Sequence, residues 1–209
     1  MIPSVLLTVA ALAALLGTAS MGNHVSGMFK MLASTGFIAM AVSSGACHSL
    51  FGLAVLVGLF FSWWGDLFLI SGTDKIFLLG VGSFFLAHVA YGAAFILYGV
   101  RWDWSLGALA VLLVPAVVMA LWLNPHLGDM RVPVFAYIVV ITLMVALAAG
   151  ASARRGDWVL LLGALLFYAS DIFVARGRFV APGAVNAQIG LPLYYAAQLV
   201  IAWCATLAR

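Results

Sequence analysis

Long apolar runs constrain this chain more than any other feature. A helix needs about 20 mostly apolar residues to cross the hydrocarbon core of a bilayer, and that ruler gives about eight spans along the sequence. They cover 2–21, 28–46, 49–72, 75–99, 104–123, 131–150, 157–175 and 187–207, with short connections between them. Hydrophobic residues make up 67% of the chain and charged residues 7%, with a mean hydropathy of +1.22. A soluble fold needs about a quarter of its residues charged to cover its surface, so soluble enzymes, disulfide-rich secreted modules and disordered chains are excluded. The alternation of a β-barrel is absent, and closed helices remain as the way to satisfy the backbone in lipid. We expect an all-α polytopic transmembrane bundle, a single integral membrane domain over residues 1–209. The first span lacks a positively charged start and reads as a retained helix, although Thr18-Ala19-Ser20 offers small residues of the kind a signal peptidase uses.

Nine Lys and Arg face six Asp and no Glu, for a net charge of +3. Charges this sparse form no basic stripe, so no nucleic-acid partner is expected. With an even number of spans both termini share one side, which also carries Arg101, Arg154, Arg155 and Arg209. The other side carries Lys30, Lys75, Arg131, Arg176 and Arg178, and the balance sets no orientation. Cys47 and Cys204 read as small hydrophobic fillers beside apolar runs. Arg outnumbers Lys and Ala is abundant, which suits a GC-rich bacterial gene and a bacterial inner membrane.

Spans three and seven echo each other. Gly58 precedes Asp66 by the same interval as Gly163 precedes Asp171. Each Asp follows a small residue and leads into an aliphatic, a Phe and another aliphatic. Two spans running the same way with this relation are what a parallel four-plus-four repeat would produce.

Ionisable groups inside the membrane carry the chemistry. An Asp at the centre of a spanning helix costs about 2.5–3.5 kcal/mol on insertion scales, and an Asp cannot snorkel as Lys does. Asp66 and Asp171 lie at matched depth near the ends of their spans, so both should face the interior and find partners. Lys30, His88, Tyr91, Tyr194, Tyr195 and Gln198 fall in the same half of the bundle, while the opposite half is almost purely aliphatic. One polar cavity opening toward that side explains the bias better than scattered helix-to-helix hydrogen bonds.

Several residues have blander readings. Lys30, Arg176 and Arg178 anchor helix ends at headgroups, or bind a lipid phosphate. His88 reads as a hydrogen-bonded interior histidine, since no HExxH or other close ligand pair is present and His24, His48 and His126 lie in connections or at helix ends. The Trp63-Trp64 pair reads as packing or an interfacial belt, and Pro115 and Pro192 as kinks. Neither Ser62 nor Ser170, each near an Asp, sits in a GxSxG elbow or beside an evident His base. No phosphate-binding glycine loop is present, and no cofactor or metal is expected.

At these residues the chain resembles the YhhN family of multi-pass membrane proteins, whose characterised members are lysoplasmalogenases. The resemblance rests on Lys30, Ser62-x-x-Gly65-Asp66, Phe85-x-Ala87-His88-x-x-Tyr91, Gly163-Ala164-x-x-Phe167-x-x-Ser170-Asp171 and Tyr195-x-x-Gln198-x-x-Ile201. Met31 departs from it, since the family usually has Pro after the lysine. The resemblance implies hydrolysis of the vinyl ether of a lysoplasmalogen, a lysophospholipid drawn from the surrounding membrane lipids, to a fatty aldehyde and a glycerophospho-alcohol. It implies Asp66 and Asp171 as the catalytic pair, with Lys30, Ser62, His88, Tyr91, Ser170, Tyr195 and Gln198 around substrate or acids.

The chemistry agrees. Protonating the outer carbon of a vinyl ether makes an oxocarbenium ion, water adds, and the hemiacetal collapses. One carboxyl must carry a proton and another must stabilise the cation or activate water, a division glycosidases use around a similar cation. Two rivals use the same residues differently. One is a proton-coupled lipid or solute transporter with the Asp pair as its relay. The other is a metal-dependent membrane hydrolase centred on His88.

Overall fold

The computed structural model describes residues 1–18 and 23–208; Ala19, Ser20 and Arg209 of the sequence reading lie outside them. The described chain is helical throughout. Its helices are α1 (Ile2–Gly17), α2 (Asn23–Ser43), α3 (Leu50–Phe68), α4 (Asp74–Tyr98), α5 (Trp102–Leu123), α6 (Arg131–Arg155), α7 (Val159–Ala175) and α8 (Ala184–Cys204). Seven are long and apolar enough to cross a membrane, and α1 is shorter. The chain is a multi-pass integral membrane protein, with large apolar side chains such as Val111, Leu121 and Val132 turned outward where lipid would lie.

Local signals set the helix boundaries. Ser49 caps α3, its hydroxyl accepting the Gly52 amide at 3.0 Å. Gly156, at φ 74°, ends α6 in the left-handed conformation that a side chain resists. Both α5 and α8 run on through Pro115 and Pro192. Beyond α7 the chain makes a π-helical turn over Arg176–Val180, which carries both arginines past the end of the span.

Packing follows the four-plus-four relation. α1 packs on α2 as α5 does on α6, and α3 on α4 as α7 does on α8. α2 meets α3 as α6 meets α7, and α2 crosses to α8 as α6 crosses to α4. The echoing glycines stand at matching seams. A methyl at Gly58 would come within 2.3 Å of the Tyr91 ring on α4, and one at Gly163 within 3.0 Å of Val200 and Ile201 on α8. Small residues let such helix pairs approach closely in a membrane. Between the pairs lies an aromatic core in which Phe167 stacks edge-on against Phe84, His88 and Tyr194.

The two cysteines separate. Cys204 is buried in the core as expected, whereas Cys47 is exposed on a 3-10 turn between α2 and α3, and both are free thiols.

Candidate functional site: two aspartates on one cavity

Asp66 stands two residues before the end of α3, nearer the helix end than its span predicts, and is buried. Its Oδ2 accepts hydrogen bonds from Ser34 Oγ and Tyr194 Oη, both at 2.6 Å. Its Oδ1 faces the Lys30 ammonium at 3.3 Å. Lys30 and Ser34 are one turn apart on α2 and so share a face, while α8 brings Tyr194 from the other half of the chain.

A polarised line of donors ends on this carboxylate. The Tyr91 hydroxyl donates to Gln198 Oε1 at 2.8 Å, and Gln198 Nε2 donates to the Tyr194 oxygen at 3.1 Å. Tyr194 already accepts there, so its own proton goes to Asp66. Ser62 is 3.4 Å from Tyr91 at the far end of this line and does not reach the acid. Tyr195 donates to the Lys30 carbonyl at 3.0 Å and lies 3.3 Å from Ser34, one hydrogen bond removed from Asp66.

Asp171, near the end of α7, has a simpler environment. Its Oδ2 accepts from Tyr137 Oη at 2.7 Å and lies 3.5 Å from His88 Nε2. His88 is fully buried, with Nε2 2.8 Å from the Tyr137 oxygen and its ring edge-on to Phe167. Ser170 donates at 2.8 Å to the Phe167 carbonyl of its own helix, although it borders the same cavity.

Both carboxylates line one cavity of about 270 Å³. Lys30, Tyr194 and Tyr137 border it with them, and the rest of its wall is almost wholly apolar, including Phe84, Met119, Ile138 and Ile141. The lining comes from the final turns of α3, α5 and α7 and the early turns of α2, α4, α6 and α8, so the cavity sits at one end of the bundle. At that end Arg176 donates to Asn186, a cavity residue, at 2.7 Å. Arg178 pairs with Asp74 and lies 4.4 Å over the Phe77 ring. Trp63 and Trp64 stay outside the lining; Trp63 donates to Thr35 on the surface. Among the described residues no three His, Cys, Asp or Glu side chains gather to hold a metal ion.

Sequence reasoning named Lys30, His88, Tyr91 and Gln198 near the acids, and each belongs to one of the two hydrogen-bond groups. It chose Tyr195 for the site where Tyr194 makes the direct bond, and it passed over Ser34 and Tyr137 altogether. For Ser34 a signal existed in the one-turn spacing from Lys30, and for Tyr194 in the one-turn spacing to Gln198. Tyr137 offers no such neighbour; only the crossing of α6 against α4 and α7 brings it to Asp171 and His88.

The comparisons with known proteins point one way. A lysoplasmalogenase of Bos taurus is 33% identical over 162 residues, covering 74% of this chain and 66% of the relative. A lysoplasmalogenase of Mycobacterium bovis is 32% identical over 133 residues, covering 60% of this chain and 49% of the relative. The chain thus spans about two thirds of the length of the cattle relative and about half that of the mycobacterial one. No solved structure matches. The model of the YhhN family matches residues 25–205, a stretch that takes in every helix lining the cavity, and the chain belongs to that family.

Proposed function

We propose that this protein is a membrane hydrolase that cleaves the vinyl ether of lysoplasmalogens, releasing a fatty aldehyde and a glycerophospho-alcohol, with Asp66 and Asp171 as its acid-base pair. The observation that carries the reading is two carboxylates on one apolar cavity, each held by a phenol. A vinyl ether needs a proton at carbon and then a water at the neighbouring carbon, and two carboxyl groups meet both needs. The apolar wall suits an alkenyl chain. Lys30 is engaged by Asp66 and Arg178 by Asp74, which leaves Arg176, bonded to the neutral amide of the cavity residue Asn186, as a cation at the same end of the bundle for a headgroup phosphate. Relatives named lysoplasmalogenase in both cattle and mycobacteria support the same reaction, and a bacterial inner membrane suits the Arg-rich, Lys-poor composition.

The test is aldehyde release by the purified full chain from alkenyl lysophosphatidylethanolamine, beside Asp66→Asn, Asp171→Asn and a matched ester lysolipid. Wild type releases aldehyde, and each variant falls at least about a hundredfold, within the range lost with one acid or base catalyst. Folded wild type that releases none, or Asn variants with full turnover, would overturn the reading.

A further inference from the structure

The two halves of the chain match around the acids but part ways just beyond them. After α3 the chain reaches α4 through the short link 69–73. After α7 it takes a longer path to α8, through the π-helical turn Arg176–Val180 and then 181–183. The four-plus-four symmetry is broken at this link. A single π-helical turn is rare and recurs at functional sites.

The turn is wall and fastening at once. Gly177 and Phe179 line the cavity that both acids border, while Arg176 reaches to α8 and Arg178 to the start of α4. The two fastenings are unequal. On the α8 side Asn186 is only 9% exposed and makes three hydrogen bonds. It accepts from Arg176 at 2.7 Å and donates to the carbonyls of Ala181 at 2.8 Å and Gly183 at 3.1 Å. On the α4 side Arg178 pairs with Asp74, whose side chain is 80% exposed. Arg178 also lies 4.4 Å over the Phe77 ring, and Phe179 meets that ring edge-on at 5.8 Å. A buried amide with every polar atom engaged is costly to disturb. An ion pair open to water gains little over two hydrated charges, so the α4 side is the one that lets go.

From this asymmetry we propose that Arg176–Val180 is a strap across the end of the cavity, hinged on Asn186 of α8 and latched to Asp74 of α4, whose release opens the cavity to water. Its use rests on the vinyl-ether reading above. Hydrolysis consumes water and yields two products of opposite character. A fatty aldehyde dissolves in the surrounding lipid, whereas a charged glycerophospho-alcohol does not. The cavity wall is almost wholly apolar and the lipid-facing surface is apolar as well. The charged product therefore leaves at the strap, on the side where the chain runs beyond the span. Closed, the strap keeps bulk water from the acids; released, it frees the site for the next lipid.

Thiol labelling of the full chain in lipid nanodiscs reads the strap without any substrate. The reporter is Val81→Cys, a cavity position on α4, in a Cys47→Ser background with Cys204 buried in the core. The reagent is iodoacetamide, which is neutral and so is not steered by the charges being changed. Asp74→Asn should speed labelling about two- to fivefold, the range that loss of an exposed ion pair gives. Arg178→Gln, which also loses the contact with Phe77, should speed it at least as much. The double variant should label no faster than Arg178→Gln, because both changes open one latch. An unchanged rate in Asp74→Asn, or gains that multiply in the double variant, would overturn the latch.

The exit is tested by joining Asp74→Cys to Arg178→Cys with a short bismaleimide in the same background without the reporter. Aldehyde release from an alkenyl lysophospholipid should then stop after no more than one turnover per chain, since the charged product is held in. Sustained turnover by the joined protein would overturn the exit route. Failure of the vinyl-ether reading looks different: unjoined wild type then releases no aldehyde, while the labelling result still decides the strap.

Discussion

Tyr194 and Tyr195 are neighbours in sequence, both buried and both tyrosine, yet their hydroxyls serve different groups. Consecutive helix positions point about a quarter-turn or more apart, and only the crossing of α8 against α2 and α3 decides which phenol meets the acid. Tyr194 bonds the Asp66 carboxylate directly, whereas Tyr195 bonds the Lys30 carbonyl. A hydrogen bond to a charged group is worth about 1.5–3 kcal/mol and a neutral one about 1 kcal/mol. Tyr194→Phe should therefore lower turnover by tenfold or more, and Tyr195→Phe by about threefold or less. Aldehyde release per mole of folded protein measures both, and equal losses would mean that the direct bond has no special weight. The carboxylates themselves were legible from sequence, because an Asp in an apolar span is costly and needs a reason. Their partners were legible only where helical spacing placed them on the face of a residue already singled out, as with Lys30 and Ser34 or Tyr194 and Gln198.

Helix existence was the most legible feature, since about 20 apolar residues leave few alternatives. Ends were less so: α3 stops at Phe68, short of the expected span over 49–72, and Asp66 thereby falls in its last turn. The Gly58 and Gly163 echo marks two seams of unequal tightness. At Gly58 an added methyl meets the Tyr91 ring, which is fully buried and tied to Gln198. At Gly163 it meets Cγ1 of Val200 and Cγ1 of Ile201 at the longer distance of 3.0 Å, with the Ile201 amide farther off at 3.5 Å. Replacing Gly by Ala gains about 1 kcal/mol of helix propensity, against which overpacking costs about 1–3 kcal/mol. Gly163→Ala should come out near neutral in thermal unfolding in detergent. Gly58→Ala should lower the midpoint and also reduce aldehyde release, because displacing Tyr91 disturbs the line of donors that ends on Asp66. If the two variants unfold alike, the tighter approach at Gly58 does not control stability.

At the scale of the molecule, the repeat legible in two short peptides proved to be a pattern of packing among all the helices, with α2, α3 and α8 around one acid and α6, α7 and α4 around the other. Sequence comparison of the halves could not extend the echo beyond those peptides, because an apolar alphabet preserves helix placement without preserving letters. The symmetry is broken again at the periphery. α1 packs on α2 and also touches α8, whereas α5 rests chiefly on α6 and buries little of its own surface. Yet Met119 and Leu123 of α5 wall the cavity that holds both acids. Under the vinyl-ether reading, the alkenyl chain leaving the acids passes this loosely held helix, so α5 should set chain-length preference while leaving the chemistry alone. Met119→Trp narrows the cavity from the α5 side without touching either carboxylate. Each methylene a pocket gains or loses is worth about 1–3 kcal/mol in discrimination, so kcat/KM for a long-chain alkenyl lysolipid should fall about tenfold or more. A short-chain analogue, whose tail ends before α5, should keep most of its rate. Leu121→Trp is the control, since Leu121 is 68% exposed on the lipid face of the same helix, and it should leave both substrates unaffected. Equal losses for long and short chains in Met119→Trp would place the alkenyl chain elsewhere, and would leave the α5 wall with a purely structural part.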